Sequence, residues 1–337
     1  MYCGPAIWKA AMAKPGLTEF ERIARFFAPL AAPGALGLID DVALIDGPPG
    51  EQYVLKTDAI VEGIDFLPGT PPGQVAQKLL RVNLSDLAAK GAVPVGYLLV
   101  TALPRSLGEN WLAGFAAGLA KDQATYGIGL LGGDTTAIDG PITLTAAAIG
   151  RVAAGSAVLR SGARPGDLVF VSGTLGDAAL GLAVLRDRPV PADAVARAFL
   201  LDRYHLPQPR LALGQGLAGL VHAMLDVSDG LLADLGHLCA ASEVAAVVEA
   251  ARLPLSPAAQ AAVDADGKWL AAALGGGDDY ELVFSAPAGA APAIAALGAE
   301  TGVPVRPIGW IEVGSGVRVL DRDGADMAVE AAGYRHF

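Results

Sequence analysis

A carboxylate inside an apolar helical stripe constrains this chain more than any other feature of its sequence. In residues 75–91 the apolar side chains recur at helical spacing, and Asp86 falls in the middle of their stripe with Asn83 beside it. A lone buried carboxylate is costly unless a cation or hydrogen-bond donors compensate for it. We therefore expect Asp86 to meet a positive charge inside the fold. The polar residues predict a solvated face on the other side of the helix: Gln74, Gln77, Lys78, Arg81 and Ser85.

Acids next to Gly or Thr at the ends of apolar runs recur along the chain. The other instances are Asp40-Asp41, Thr57-Asp58, Gly132-Gly133-Asp134, Asp226-Val227-Ser228-Asp229-Gly230 and Gly275-Gly276-Gly277-Asp278-Asp279. For one such acid, a structural ion pair or a helix cap is the simpler explanation. No comparable set of Lys or Arg adjoins these acids in the sequence, so we expect metal ions to hold them where they converge. Magnesium takes carboxylates, hydroxyls and phosphate oxygens as ligands.

Charge and hydropathy argue against two classes of partner. The net charge of −11 and the pI of about 4.8 disfavour a nucleic-acid surface, which needs clustered Lys and Arg. Mean hydropathy is +0.45, yet no run approaches the ~18 uninterrupted apolar residues of a membrane span. The two cysteines, Cys3 and Cys239, indicate a reducing compartment. We expect residues 1–16 to be a flexible leader rather than a signal peptide, and the protein to be cytoplasmic.

Alternating helical and strand patterns predict an α/β chain of two units. In the first unit we expect a helix at 17–32 capped by Thr18, and a strand at 128–131 with Asp134 at its carboxyl end. The other expected elements there are a hairpin of strands 42–45 and 53–55, strand 95–103, helix 109–126 and strand 142–152. Gly and small residues at 153–166 mark a boundary. It divides the chain into a leader (1–16), an N-terminal domain (17–155) and a C-terminal domain (156–337).

The second unit is predicted in less detail. Its expected strands are 167–172, 223–225, 280–284, 303–311 and 317–320, and its expected helices are 178–185, 211–220 and 231–240. Ser228 is placed to cap the last of these helices, whose first N–H groups are able to face an anion. We expect residues 189–209 to be irregular.

Several chemistries are disfavoured by missing motifs. The sequence holds no GxxxxGK[ST] phosphate loop, no HRD, no DFG and no HExxH, and it has four His. Ser228 as a nucleophile lacks a base, so its role as a helix cap is the stronger hypothesis. What remains is a set of hard oxygen ligands able to hold several Mg²⁺ ions, which is typical of a phosphoryl-transfer site.

Seven short motifs in order carry a family resemblance. They are DDVALID, KTDAIVEG, VNLSDLAAKGA, GGDTT, RSGARPGD, DVSDGL and GGDDYEL. From about residue 16 to the C-terminal GYRHF, the chain closely resembles the thiamine-monophosphate kinases of the aminoimidazole-ribonucleotide-synthetase-like superfamily. The resemblance implies ATP- and Mg²⁺-dependent phosphorylation of thiamine monophosphate to thiamine diphosphate. It also implies a homodimer whose N-terminal mixed sheets join into a barrel, beside a C-terminal α/β domain.

The resemblance also assigns roles to single positions. The implied ligands of several Mg²⁺ ions are Asp40, Thr57, Asp58, Asp86, Asp134, Asp226 and Asp229. The implied ATP contacts are Tyr126, Gly133, Asp134, Arg160 and Ser228. Asp278 is implied to face the substrate, and Asp65 stands where relatives carry a His that touches it. Two further positions depart from the family pattern: Lys56 replaces a frequent Ser, and Ala331 aligns with an aromatic residue that packs on the thiamine.

Alternatives from other classes stay open at this point. One is another ATP-dependent synthetase of the same superfamily, and a second is a Mg-dependent phosphohydrolase. A third is a nucleotide-binding protein without turnover. For the kinase we expect direct in-line transfer without a general base, because a phosphate monoester is already anionic at neutral pH.

Overall fold

The structure is a computed structural model that describes residue 21, residues 23–328 and residue 333. Its first unit is a five-stranded sheet in the order β1-β2-β5-β3-β4. The strands are β1 (Ala43–Asp46), β2 (Glu51–Val61), β3 (Val93–Pro104), β4 (Gly129–Ile138) and β5 (Thr143–Ala153). Neighbouring strands are antiparallel except β3 and β4, which are parallel. The pairing of β1 with β2 confirms the predicted hairpin.

Two helices, α1 (Pro72–Ala89) and α2 (Glu109–Tyr126), pack with this sheet in one apolar core. Pro72 begins α1, where its missing N–H costs no helical hydrogen bond. Gly91 follows the end of α1 with a φ of +67°, a left-handed conformation that favours glycine. Both predicted helices are confirmed to within a few residues.

The second unit is a six-stranded sheet in the order β11-β8-β10-β6-β9-β7. Its strands are β6 (Leu168–Ser172), β7 (Ala223–Asp226), β8 (Ala245–Glu249), β9 (Leu282–Ala286), β10 (Val305–Glu312) and β11 (Gly316–Leu320). Its helices are α3 (Asp177–Leu185), α4 (Ala194–His205), α5 (Leu211–Leu217), α6 (Leu231–Ser242), α7 (Pro257–Ala265), α8 (Leu270–Gly275) and α9 (Ala291–Thr301). Two mixed sheets with helices confirm the predicted α/β class.

The prediction of a solvated face on α1 is wrong. Gln77, Lys78, Arg81 and Ser85 are all buried, with exposed fractions between 0 and 9%. The helix packs on β2 and β5 with one side and on α5 and β7 of the second unit with another. Its polar side is therefore covered in part by α2, where Gln77 and Arg81 bind Asp122, and in part by the second unit, where Lys78 pairs with Asp278.

Other differences concern the irregular regions and the chain ends. Residues 194–205 form α4 instead of an irregular segment, and Asp193 caps it by accepting a hydrogen bond from the N–H of Ala196 over 2.8 Å. Strand β4 runs through the GGDTT motif, so Asp134 lies inside the strand, and the strand is exposed rather than buried. Strand β8 and helices α7, α8 and α9 were not predicted.

The expected leader lies outside the described residues, as do Cys3, Thr18, Ala331 and most of the terminal GYRHF. Of the helix expected at 17–32, the described part contains a π-helical turn at Ile23–Phe27 and a 3-10 turn at Ala28–Leu30. Among the described residues, no helix has the length and apolar character needed to span a bilayer.

Candidate active site

A cleft of about 630 Å³ opens between the two units. From the first unit it is lined by β2, the turn that follows it, and α1. From the second unit it is lined by α3, by Arg186 and Arg188 after it, and by the loops before α6 and β9. Its polar lining includes Asp58, Asp65, Lys78, Arg186, Arg188, Ser228, Asp229, Asp278 and Tyr280. Five of these residues were predicted as site residues: Asp58, Asp65, Ser228, Asp229 and Asp278.

Close approach of two loops builds the C-terminal wall of the cleft. The backbone N–H of Asp278 donates to the carbonyl of Ser228, and that of Tyr280 donates to the carbonyl of Val227, both over 2.8 Å. A Cβ atom on Gly277 would lie 2.5 Å from the Ser228 oxygen, so this approach requires glycine. Asp278 and Tyr280 have φ values of +71° and +50°, each of which costs about 1–3 kcal/mol in a non-glycine residue.

Four carboxylates from four parts of the chain surround the ammonium of Lys56. We call Asp41, Asp58, Asp86 and Asp226 the acid cluster, since each of them raises the pKa of Lys56. Burial alone would lower that pKa, but the four charges overcome it. Nζ of Lys56 lies 3.2 Å from Oδ1 of Asp58 and 3.0 Å from Oδ2 of Asp86. The positive charge expected at Asp86 is therefore confirmed, and it comes from the protein itself.

Mutual repulsion and burial raise the pKa of two members of the acid cluster. Burial raises the pKa of Asp86 well above its ordinary value; Lys56 opposes the shift, and Asp226 and Asp58 add to it. Burial and the charge of Asp41 raise the pKa of Asp226 to about 6, against a lowering by the Ser85 hydroxyl. Oxygen donors that are buried and repel one another are the environment in which a divalent cation gains most. The acid cluster therefore fits Mg²⁺ in its donor chemistry.

The prediction that the acids lack basic partners is wrong. Besides Lys56, Lys90 forms an ion pair with Asp40 over 2.9 Å, and Arg160 forms one with Asp41. Lys90 and Arg160 are far in sequence from Asp40 and Asp41, and the fold brings them together. The residues next to these two acids in the sequence therefore did not show their partners. Lys90 is fully buried at the end of α1, where water cannot replace its partner.

Asp41 rather than Asp40 belongs to the acid cluster. Oδ1 of Asp40 pairs with Lys90, and its Oδ2 accepts a hydrogen bond from the Arg160 N–H over 3.0 Å. Burial would raise the pKa of Asp41, but Lys90 and Arg160 hold it well below its ordinary value. The charge of Asp41 also acts on Asp86 and Asp226. The sequence analysis assigned Asp40 as a ligand and missed Asp41, because the sequence alone does not say which of two neighbouring acids turns inward.

A second group of ligand atoms lies at the start of α6. Atoms of Asp229, Asp234 and His237 lie within 4.8 Å of one another. Asp234 accepts hydrogen bonds from the N–H groups of Asp229 and Gly230, both over 3.0 Å. Gly230 occupies the N-cap position with no side-chain cap, so the prediction that Ser228 caps this helix is wrong. The sequence analysis did not single out Asp234 or His237. These two residues are three apart on α6 and therefore lie on one face of that helix, next to Asp229 in the preceding loop.

Asp134, Gly133 and Thr57 lie apart from the acid cluster. Asp134 lies on β4, where it pairs with Val100 of β3. Asp58 lies on β2, three strands away in the sheet, which is a distance of roughly 14 Å. By strand alternation Asp134 and Thr57 share the open face of the sheet, whereas Asp58 shares the face of α1. The Thr57 hydroxyl donates to the Ala146 carbonyl over 3.0 Å. Gly133 meets a packing demand, since a Cβ there would lie 1.8 Å from the Leu99 oxygen.

Tyr126 and Arg160 lie in separate ionic networks. The guanidinium of Arg81 sits 5.6 Å from the ring centre of Tyr126, and it binds Asp122 through Nε over 2.6 Å. Burial raises the pKa of Tyr126, against the charge of Arg81. Arg160 belongs to the network of Asp41. Among the contacts described, Tyr126 packs on the core of the first unit and Arg160 pairs with Asp41.

The other end of the cleft is organised by Lys78. Its ammonium donates to the Asp65 carbonyl over 2.8 Å, pairs with Asp278 at 3.2 Å and lies 4.0 Å from the ring centre of Tyr204. Asp65 accepts a hydrogen bond through Oδ2 from the N–H of Val61 over 2.7 Å, which closes the turn after β2. Lys78 was missed because a lysine on the polar side of a helix predicts solvent exposure. Arg186, which is close enough to lower the pKa of Tyr204, was missed as well.

Comparisons with known proteins agree with this architecture. Two family models match the chain. The model of the AIR synthase related protein N-terminal domain matches residues 39–152, and that of the C-terminal domain matches residues 164–322. The fold and the cleft between its units thus define a two-domain protein of the AIR synthase related class.

The curated relatives at 40–41% identity carry one name. The thiamine-monophosphate kinase of Caulobacter vibrioides is 41% identical over 332 residues, which is 97% of this chain and 93% of that protein. The Escherichia coli K12 enzyme of the same name is 40% identical, covering 95% and 98%. A structure of AaThiL complexed with AMPPCP and TMP has a TM-score of 0.83 at 30% identity, covering 97% of this chain and all of that one. The chain belongs to the thiamine-monophosphate kinase family.

Proposed function

We propose that this chain catalyses the ATP-dependent phosphorylation of thiamine monophosphate to thiamine diphosphate. The observation that carries the proposal is the meeting of acids from both units around Lys56, beside the cleft that Asp58 lines. Asp58 and Asp86 come from the first unit and Asp226 from the second, and each shifts the pKa of a neighbour. The AMPPCP and TMP bound to the structural relative support ATP and thiamine monophosphate as the two substrates.

The acceptor needs no general base. The second pKa of a phosphate monoester is about 6, so its oxygen is an anionic nucleophile at neutral pH. The chain's task is to bring two anionic phosphates into line and to spread the charge of the transferred group. Mg²⁺ ions, when bound, supply the positive charge that screens this repulsion. A direct displacement predicts inversion at a chiral γ-phosphate, and retention would contradict it.

The proposed metal ligands are the acids that meet around Lys56, together with Asp229, which lines the cleft. We propose the acid cluster and Asp229 as the main Mg²⁺ ligands; of the other assignments, Asp40, Thr57 and Asp134 need a rearrangement or a second copy of the chain. Asp134, Tyr126, Gly133, Arg160 and Ser228 stay proposed ATP contacts, of which Ser228 lines the cleft. Asp65 and Asp278 stay proposed substrate contacts. Arg186 and Arg188 at the same cleft are cations suited to an incoming phosphate.

A homodimer is part of the proposal. Strand β1 covers only residues 52–55 of β2, and β4 is exposed along nearly its whole length. Apolar side chains lie on β3 and β4 with 41–59% exposure: Leu98, Val100, Leu130 and Leu131. Pairing of β4 with residues 56–61 of a second copy would cover both the exposed strand β4 and the uncovered part of β2, and would close a barrel. It would also bring Asp134 next to Thr57 of the other chain. Two features support this arrangement: the exposed edges, and the shared face of Asp134 and Thr57.

Product analysis tests the function directly. The protein is incubated with ATP and Mg²⁺, with and without thiamine monophosphate, and the products are separated by chromatography. Thiamine diphosphate and ADP in equal amounts, formed only with the acceptor, are expected. Release of inorganic phosphate without acceptor would identify a phosphohydrolase instead, and binding of ATP without turnover would leave a nucleotide-binding protein.

Two further assignments stay predictions. We propose the division at residues 155 and 156 as the domain boundary, supported by the two sheets and by the family models that leave residues 153–163 unmatched. We also propose that the protein works in the cytoplasm.

A further inference from the structure

We propose that the ammonium of Lys56 takes the place of one divalent cation in the acid cluster, so that this chain binds fewer ions there than its carboxylates alone would hold. The inference rests on the proposed function, because it takes the acid cluster as the ion site of the kinase.

Lys56 bridges two carboxylates that come from different elements. Its Nζ lies 3.2 Å from Asp58 on the same strand and 3.0 Å from Asp86 on α1. The side chains of Lys56 and Asp86 are 12% and 6% exposed, so little water reaches the space between them. A point between the buried carboxylate of Asp86 and that of Asp58, whose side chain is 38% exposed, is where a divalent ion would be coordinated.

The backbone leaves Lys56 little choice of position. Residues two apart in a strand project from the same face, so Lys56 and Asp58 point toward α1 together. The pairing of Lys56 with Ala148 and of Asp58 with Ala146 fixes both Cα atoms against β5. Asp58 is held further by its N–H, which donates to Oδ1 of Asn83 over 3.0 Å. The ammonium therefore enters the acid cluster as a consequence of strand register.

Charge makes the ammonium and an ion mutually exclusive at this point. The acid cluster carries up to four negative charges, on Asp41, Asp58, Asp86 and Asp226. The positive charge of Lys56 compensates one of them. A divalent ion brought between Asp58 and Asp86 would meet a like charge at contact distance in a region of low dielectric constant. A small neutral residue at position 56 would leave both the charge and the volume free for an ion.

The test counts bound ions. Mn²⁺ binding is measured by electron paramagnetic resonance of the free ion, with wild-type protein and the variants Lys56→Ser, Lys56→Gln and Lys56→Arg. We expect one additional tightly bound Mn²⁺ per chain in Lys56→Ser and Lys56→Gln, and the wild-type number in Lys56→Arg. Lys268→Ser is the matched control, since it removes a lysine from an exposed pair with Asp266.

The outcomes separate the inference from the proposed function. Equal Mn²⁺ counts in wild type and both neutral variants, in a wild-type protein that makes thiamine diphosphate, would overturn the inference alone. An absence of Mn²⁺ binding in every variant would overturn both. If Lys56→Ser does not fold without metal, Lys56→Gln keeps the length of the stem, and recovery of the Lys56→Ser circular dichroism spectrum by Mn²⁺ would itself support the inference.

Discussion

The backbone N–H of Asp58 donates a hydrogen bond to the side-chain oxygen of Asn83 over 3.0 Å. Asn83 is fully buried, and its Nδ2 donates to the Leu79 carbonyl over 2.9 Å, which fixes the orientation of its amide. Since Asp86 follows Asn83 by three residues on α1, this bond ties strand β2 to the helix at the point where each delivers an acid. An uncharged side chain thus sets the spacing of two proposed metal ligands.

Replacement of Asn83 by Ala should loosen that spacing. We expect the Mg²⁺ concentration for half-maximal rate to rise about tenfold, and the free energy of unfolding to fall by about 1–3 kcal/mol because a buried donor and acceptor lose their partner. Kinase rates across a Mg²⁺ titration and urea unfolding measure the two effects. Gln215→Ala removes a hydrogen bond from the side-chain amide to the Ala92 carbonyl, away from the cleft. This variant should lose stability without a change in Mg²⁺ dependence. The same Mg²⁺ dependence in both variants would show that Asn83 is structural only.

Neutralising Asp86 should remove activity while leaving the fold intact. Asp86→Asn is expected to lower kcat by at least about 10²-fold, since the electrostatic arrangement that the reaction needs is lost. Its melting temperature without divalent ions should equal or exceed that of wild type, because burial disfavours the charged form of Asp86. Asp264→Asn, on an exposed helix surface, is the control. Near wild-type turnover by Asp86→Asn would refute the metal-cluster assignment.

Lys78 and Asp278 should govern affinity for thiamine monophosphate. Lys78→Met removes the bond to the Asp65 carbonyl and the ion pair with Asp278, so we expect KM for thiamine monophosphate to rise about tenfold or more with a smaller change in KM for ATP. Asp278→Asn should act in the same direction. Asp264→Asn, on an exposed helix surface, is the control and should change either KM by less than about threefold. Steady-state kinetics with each substrate varied in turn distinguishes these effects; equal shifts in both KM values would contradict the assignment.

Two buried acids at the start of α3 should make stability depend on pH. Burial raises the pKa of Asp177 against hydrogen bonds from Ser256 and Thr174, and burial raises that of Asp279 well above its ordinary value, with Asp177 adding to it. The folded chain then holds protons that the unfolded chain has lost above its pKa of 3.8. The free energy of unfolding should therefore fall as pH rises from about 4 through the raised pKa values. Urea unfolding of Asp177→Asn with a chelator present should show a shallower slope than wild type, whereas Asp264→Asn should keep the wild-type slope.

Mixing two inactive variants tests whether Asp134 serves the site of the other chain. Asp134→Asn and Asp58→Asn are unfolded together, refolded together and assayed. If the site joins Asp58 of one chain with Asp134 of the other, mixed dimers keep one intact site, and activity should return to at most about a quarter of wild type. Refolding each variant alone is the control. A mixture as inactive as its parts would place both acids in one chain's site or exclude the dimer.

Much of the local structure was predictable because it depends on near neighbours in the chain. The spacing of apolar residues predicted α1 and α2, and the turn residues between 46 and 50 predicted the hairpin of β1 and β2. The cost of burying Asp86 predicted a nearby positive charge. Helical spacing did not predict that Lys78 and Arg81 are buried, because the second unit covers a face of α1 that would otherwise be exposed.

The sequence by itself determined the α/β class, the family, and the presence of acids beside turns, since these depend on residue type and order. Only the tertiary structure decided which of these acids meet and what neutralises them. Strand register turns Lys56 and Asp58 toward α1 and Asp134 toward the open face, and the packing of the two units brings Asp226 to Asp86. Electrostatic energies depend on distances through space between residues far apart in the chain, so they become definite only once the chain has folded.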